Sequence, residues 1–418
     1  MSKLTSALPA LTRQRPFVLF WFARLTVTLG YHMLVVAIAW TVYDLTGSAF
    51  DLGLVGLIQF VPAVVLTLLV GHIADRYDRR HIVWIAQAIY ALAAMTVLIV
   101  LMSAVKSVTL LFVAVFMLGC ARAFELPAAS ALVPALVPQS LISRAVAAWA
   151  SANQAAVICG PAAGGLIFAV SPPLVCILSA VFFAAAMTLV SLIKVEGPAA
   201  AREPPTLASV LAGFAFVRTR ERLLGVITLD LIVILLGSVT ALLPIYARDI
   251  LDAGPAGLGL LRSAPAVGAL TVTILLSRWP IERHIGLAMF AVVGLFGVAT
   301  MVFALSVWMP LSLVALAVLG ASDAISVVIR FSLVQIETPD AMRGRVSAIN
   351  YLFVGTSNTL GEFESGAVAA WIGVVPTAFI GGLGSLLVAA IWMMLFPSLR
   401  RIDRYEPADP AEAKVTRS

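Results

Sequence analysis

The sequence predicts an all-α integral membrane protein, with twelve transmembrane helices in two pseudo-symmetric six-helix halves. Three observations predict it. The chain is 61% hydrophobic and 11% charged, with a mean hydropathy of +1.05, whereas an ordinary soluble domain is about 25% charged. Apolar runs recur at the length of roughly twenty residues that an α-helix needs to cross ~30 Å of hydrocarbon, and the alternating pattern of outer-membrane barrels is absent. The second half of the chain also repeats features of the first.

The elements follow in order. The polar start MSKLTSALPALTRQRP lacks an apolar h-region with a cleavage site, so the first apolar segment is expected to be a true span. Charge and turn breaks delimit spans near 17–43, 51–74, 82–104, 108–136, 143–169 and 172–194, then 223–247, 256–277, 284–305, 310–336, 345–370 and 372–397. The longest polar interruption, Lys194 to Arg222, contains EGPAAAREPP and divides the spans six and six. The expected organisation is an N-terminal half over 1–194, a cytoplasmic linker over 195–222, a C-terminal half over 223–400 and a cytoplasmic tail over 401–418.

Basic residues set the orientation. Of 27 Lys and Arg, 21 fall in the N-terminus, the loops after even-numbered spans and the tail. The opposite loops hold only Lys106 and Arg248, and Arg24, Arg122, Arg262 and Arg330 lie within spans. Cytoplasmic loops carry such an excess, so both termini are expected in the cytoplasm. The net charge of +6 then reflects topology and gives no reason to expect nucleic acid as a partner. Cys120, Cys159 and Cys176 sit in apolar runs without CxxC spacing or clustered histidines. They read as packing residues, with neither a metal site nor a disulfide framework.

The halves repeat in detail. LVPQSLISRAVAA, between spans four and five, matches IETPDAMRGRVSAI between spans ten and eleven. Aligning Pro138 with Pro339 superposes Arg144 on Arg345, Gly160 on Gly361 and Gly165 on Gly366. LGLVGLIQFVPAV likewise resembles AGLGLLRSAPAV, pairing Pro62 with Pro265 and Tyr43 with Tyr246. Two such six-helix repeats are a transporter architecture, with the substrate site between them near the midplane.

Short motifs carry a family resemblance. GHIADRYDRR (Gly71 to Arg80), between spans two and three, resembles the G-x-x-x-D-R-x-x-R-R loop motif of the major facilitator superfamily. CGPAAGG (Cys159 to Gly165) resembles the G-P-x-x-G-G motif of superfamily antiporters in span five. Arg122 in RAFELPAAS resembles the arginine motif of drug and proton antiporters, although Leu126 stands where that motif has glycine. LGEFESG (Leu360 to Gly366) is similar to a segment of the enterobactin-exporter and macrolide-efflux branch. The resemblance implies that Gly71, Asp75, Arg76, Arg79 and Arg80 form a cytoplasmic latch between the halves. Gly71 would allow close helix packing, and Asp75 would cap span three or pair with an arginine. A solvated loop that merely obeys the positive-inside rule is the alternative. For Gly160, Pro161, Gly164 and Gly165 the resemblance implies shaping of span five and a seal against proton leak, which ordinary small-residue packing would also produce.

A charge at the centre of a span costs ~2.5–3.5 kcal/mol, so those present are candidates: Arg24, Arg122, Glu125, Asp230, Arg262, Asp323, Arg330, Glu362 and Glu364. Arg122 and Glu125 are close enough on one helix to pair. Asp323, Ser326, Arg330 and Glu337 fall on one stripe of span ten. Arg24 and Asp230 lie at similar depths in spans one and seven, whereas Glu362 and Glu364 differ by about 200° and face different ways. Of these, Glu125, Asp230, Asp323 and Glu362 are the candidate proton carriers, since a carboxylate parted from its arginine and desolvated takes up a proton more readily. Permanent ion pairs that hold spans together are the alternative. Trp40, Tyr43 and Trp371 read as interface or packing aromatics, and His32 as a packed polar group.

The expected function is secondary-active, proton-coupled export of a small amphipathic molecule, a siderophore or hydrophobic drug, by alternating access in a cytoplasmic (inner) membrane. Uptake or lipid movement by the same fold is the alternative, and a non-transporting receptor is a more distant one. No cofactor, metal or catalytic constellation is expected, and there is no P-loop for ATP. The expected partners are a small-molecule substrate, protons and the bilayer, with the chain acting as a monomer.

Overall fold

The computed structural model describes residues 11–76, 78–104, 106–193 and 207–405. Among them twelve helices have 17 residues or more. The first six are α1 (Arg15–Thr46), α2 (Ala49–Arg76), α3 (Arg79–Met102), α4 (Val108–Leu132), α5 (Ile142–Val170) and α6 (Pro172–Ser191). A short helix, α7 (Leu207–Thr219), precedes α8 (Glu221–Gly237), α9 (Gly254–Arg278), α10 (Ile285–Leu305), α11 (Met309–Glu337), α12 (Asp340–Ile372) and α13 (Val374–Leu395). Each long helix overlaps one run expected to span the membrane. Eleven of these segments are long and apolar enough to do so by composition. The twelfth, α12, carries Asp340, Arg343, Arg345, Glu362 and Glu364 and so falls short.

Two features depart from the sequence reading. Part of the linker expected over 195–222 is helical: α7 packs on α12, where Gly213 lies against the Arg345 backbone and the Ile349 side chain; residues 194–206 lie outside the described residues. Span seven is not one continuous α-helix. After α8 come a 3₁₀ turn (Thr240–Leu242), one α turn (Leu243–Ile245) and a π-helical turn (Tyr246–Ile250), where the Leu251 N–H donates to the Tyr246 carbonyl at 2.8 Å. Pi-helical turns are uncommon and are frequent at functional sites.

Packing divides the chain into two compact units: Met1–Pro204 with Leu243–Ser263, and Pro205–Leu242 with Ala264–Ser418. Within the first, α1 packs on α5 and α6, α3 on α4 and α6, and α2 on α4. Within the second, the corresponding pairs recur: α8 on α12 and α13, and α10 on α11 and α13. The α2–α4 crossing is so close that a Cβ on Gly119 would meet the Gln59 carbonyl, and in the α9–α11 crossing one on Gly320 would meet the Pro265 carbonyl. Gly119 and Gly320 are equivalent under the alignment that superposes Gly160 on Gly361, so the internal repeat extends to the closest backbone approach.

The core of each unit is apolar, with Leu34, Val36, Ala37 and Leu111 fully buried in one and Leu229, Ile285, Met289 and Leu399 in the other. Large apolar side chains also point outward, including Trp371, Val170 and Met394, as lipid-facing helices require. Cys176 is buried and Cys120 half-buried, but Cys159 is exposed, so the packing role expected of all three does not extend to it.

Candidate functional site

Arg24 is the tenth residue of α1 and is buried. Its Nη1 donates to both carboxylate oxygens of Glu125 on α4 (2.8 and 2.9 Å), and its Nη2 to Asn153 Oδ1 on α5 (2.8 Å). The guanidinium also lies 5.2 Å from the Trp149 ring centroid. Glu125 therefore pairs across helices with Arg24 and not, as its spacing suggested, along α4 with Arg122. Arg122 instead sits over the ring of Tyr31, 4.6 Å from its centroid. Gln59 Nε2 donates to Tyr31 Oη at 2.6 Å, and the Tyr31 and Tyr90 rings meet edge to face at 5.9 Å. Among the described residues no carboxylate forms an ion pair with Arg122.

In the second unit the signs invert. Asp230 is the tenth residue of α8 and is buried. It forms an ion pair with Arg330 of α11, whose Nε also donates to the Ser326 carbonyl and hydroxyl, both at 3.2 Å. Asp323, two turns earlier on α11, stands 3.9 Å from Arg330 Nη2. Its side chain is 40% exposed, against 6% for each partner of the tight pair, so it is the more accessible of the two carboxylates. Asp230, Asp323, Ser322 and Ser326 line a small cavity with Val233 and Phe296, on the order of one water molecule in size. The stripe continues to Glu337, buried and paired with Arg222 at 2.8 Å. Glu362 and Glu364 lie on α12, both half-buried.

The small residues of α5 seat it against two neighbours within the first unit. A Cβ on Gly160 would come within 2.7 Å of the His32 Cβ, and one on Gly164 within 2.7 Å of the Met33 Cα. Gly165 lies against the Pro255 carbonyl, and the Pro161 carbonyl lies against Gly259. Ser263 Oγ also donates to the Ile158 carbonyl at 2.7 Å. Nearby, the π-helical turn presents Arg248 to Asp44 at 3.1 Å, and Asp249 accepts a hydrogen bond from Tyr43. This cluster, which the sequence reading missed, had one visible signal: Arg248 is one of only two basic residues in the loops after odd-numbered spans.

Of the loop motif, Gly71, Asp75 and Arg76 belong to the last turns of α2; the side chains of Asp75 and Arg76 lie outside the described residues, as does Tyr77 entirely. The cap of α3 is Asp78, which accepts the Arg80 N–H at 2.9 Å; Asp75, the expected cap, is still inside α2. Arg79 donates to the Ala131 carbonyl (3.3 Å) and Arg80 to the Ile193 carbonyl (2.7 Å), near the ends of α4 and α6. Cations are favoured at helix C-termini. Arg80 also grips Asp78 at 2.6 Å, and this hydrogen bond holds the Asp78 carboxyl below its ordinary range against the opposing effect of partial burial.

Twelve long helices, a packing pattern used twice and buried charge pairs at matching depth define a multi-pass membrane transporter. The chain matches the family model described as Transmembrane secretion effector, of the major facilitator superfamily, over residues 5–415, and it belongs to that family. It is 25% identical over 396 residues to the enterobactin exporter EntS of Escherichia coli (strain SMS-3-5) and to that of Shigella boydii serotype 18, covering 93% of each chain. Among solved structures it is similar to the nucleoside transporter NupG (TM-score 0.73, 14% identity, 91% of this chain and 99% of that one). It is also similar to a bacterial homologue of the lysosomal transporter Spinster in an inward-facing, unoccupied conformation (TM-score 0.73, 13% identity, 94% and 99%). The protein is thus a transporter and not an enzyme.

Proposed function

We propose that the protein exports a small amphipathic molecule, a siderophore or hydrophobic drug, from the cytoplasm in exchange for protons. It would do so from the inner membrane, with both termini cytoplasmic, as two halves that alternate access. The observation that carries the proton part is the Asp230–Arg330–Asp323 cluster: one buried ion pair with a second, accessible carboxylate beside the same arginine. One arginine shared by two carboxylates leaves a negative charge that a proton can neutralise. Export, and a siderophore-like cargo, are supported by the similarity to an enterobactin exporter along 93% of both chains. The loop motif, with Gly71, Asp75, Arg76, Arg79 and Arg80, would be the cytoplasmic latch in this scheme, and Gly160, Pro161, Gly164 and Gly165 would seal span five. Uptake is the second reading, since the fold shared with the nucleoside transporter NupG leaves the direction of transport open.

The test is accumulation in cells that overexpress the protein or its Asp323→Asn variant, using dyes, macrolides and catecholate siderophores. Lower retention of a compound by the wild type, abolished by a protonophore, is the expected result. Equal retention across the whole panel would remove the export reading, and greater retention by the wild type would replace it with uptake.

A further inference from the structure

Among the described residues of the first unit, Arg122 is a cation at span depth without a carboxylate partner. Arg122 is the fifteenth residue of the 25 in α4, well inside a span, where a charge costs ~2.5–3.5 kcal/mol unless something compensates it. The nearest carboxylate on its own helix, Glu125, has both oxygens occupied by Arg24. Arg122 is left with the face of Tyr31 at 4.6 Å; a ring supplies electrostatic attraction but no counter-charge. Of Arg24 and Arg122, only Arg24 has a carboxylate partner among the described residues. A guanidinium also presents several donors in a planar fork that suits a two-oxygen anion.

We infer that the first unit is an anion receptor: the transported molecule carries a carboxylate, phenolate or comparable anionic group that docks on Arg122. Two buried tyrosines hold the arginine in place: Gln59 fixes the Tyr31 hydroxyl, and Tyr90 packs against both Tyr31 and Phe183. A cationic cargo would meet repulsion from Arg122 and find Glu125 already spent on Arg24. The inference gives the proposed exporter its substrate charge and rests on that reading for the site's purpose.

Its test separates the two. The full-length protein in lipid nanodiscs is titrated with three probes that share one aromatic body: dansylglycine (anion), dansylglycine amide (neutral) and N-dansylethylenediamine (cation). The wild type is expected to bind the anion at least tenfold more tightly than the amide, and the cation most weakly. Arg122→Gln should bring the anion down to the level of the amide without changing the amide, and Arg122→Lys should keep the preference. A wild type that ranks the amide or the cation first, or binds none of the three, overturns the inference even if no variant folds. So does an Arg122→Gln variant that keeps the anion preference. Anion preference without transport of any panel compound would support the receptor while removing export; export of cations alone would do the reverse.

Discussion

The two units carry one arrangement of charges with opposite signs. In the first, Arg24 of α1 pairs with Glu125 of α4, and Arg122 is left over. In the second, Asp230 of α8 pairs with Arg330 of α11, and Asp323, 3.9 Å from the same arginine, is the surplus charge left over. Arg24 and Asp230 are each the tenth residue of their helix. Arg122 and Asp323 are equivalent under the alignment that superposes Gly160 on Gly361. The pairing partners match less closely, Arg330 lying one turn beyond the position equivalent to Glu125. A buried pair is satisfied by either polarity, so a duplicated scaffold tolerates inversion of the pair. The leftover charge is different, because its sign decides what the unit attracts. In the scheme proposed above, one unit would receive an anion and the other a proton.

The sharpest way to break that division is to remove each leftover charge separately. Asp323→Asn should abolish the protonophore-sensitive difference in accumulation while leaving dansylglycine binding within twofold of the wild type. Arg122→Gln should lower dansylglycine affinity at least tenfold. If both substitutions damage both readouts equally, the units do not divide the work.

The tight pairs are next. Removing one partner of a buried pair typically costs about 3–5 kcal/mol because the other charge is stranded. Glu125→Gln and Arg330→Gln should therefore each destabilise by that order in denaturation of the purified protein. Inverting the first pair with Arg24→Glu and Glu125→Arg together should recover a large part of the loss, since the second unit already runs on the opposite polarity. A double variant no more stable than the sum of its singles would show that the pair is not what matters. The helix crossings should respond alike in both units: Gly119→Val and Gly320→Val each force a side chain into a backbone carbonyl, and overpacking of this kind costs about 1–3 kcal/mol. A large cost in one unit and none in the other would mean that the repeat ends short of the packing.

How far each of these features could be read in advance follows from its range along the chain. Helices are local, so apolar runs and charge breaks located all twelve. The stripe on α11 was also legible, because Asp323, Ser326, Arg330 and Glu337 share one helix face. Pairing between helices was not. Glu125 had Arg122 three residues away, yet it meets Arg24, 101 positions earlier, because α1 carries a planar cation to the same depth and Asn153 helps to hold it there. The Asp44–Arg248 and Tyr43–Asp249 contacts were hidden for another reason. They depend on the π-helical turn at Tyr246–Ile250, and no short sequence pattern signals a change from α to π winding. The cap of α3 was missed by three residues, since α2 extends through Asp75 to Arg76 and leaves Asp78 to begin the next helix.

The smallest effect concerns how equivalent helix starts are capped in the two units. Asp78 caps α3 from the residue just before it, accepting the Arg80 N–H. At the corresponding start of α10, His284 holds a left-handed conformation (φ 57°), and the cap comes from 119 residues away. There Asp403 accepts the His284 N–H at 3.0 Å, and the Ile402 carbonyl accepts the Gly286 N–H at 2.9 Å. Loss of a side-chain cap costs about 1 kcal/mol, so Asp78→Ala and Asp403→Ala should be similar in equilibrium stability. They should differ in reach. Hydrogen exchange in Asp78→Ala should rise only in the first turn of α3, whereas Asp403→Ala should raise it both in α10 and around Ile402. A pH scan separates them further. Because Arg80 depresses the Asp78 carboxyl, its stabilising contribution is present above the unfolded value of about 3.9 and is lost as pH falls through the lower folded value. Between pH 5 and 3 the wild type should therefore lose stability more steeply than Asp78→Ala, and parallel curves would show that the carboxylate at the start of α3 contributes nothing beyond its shape.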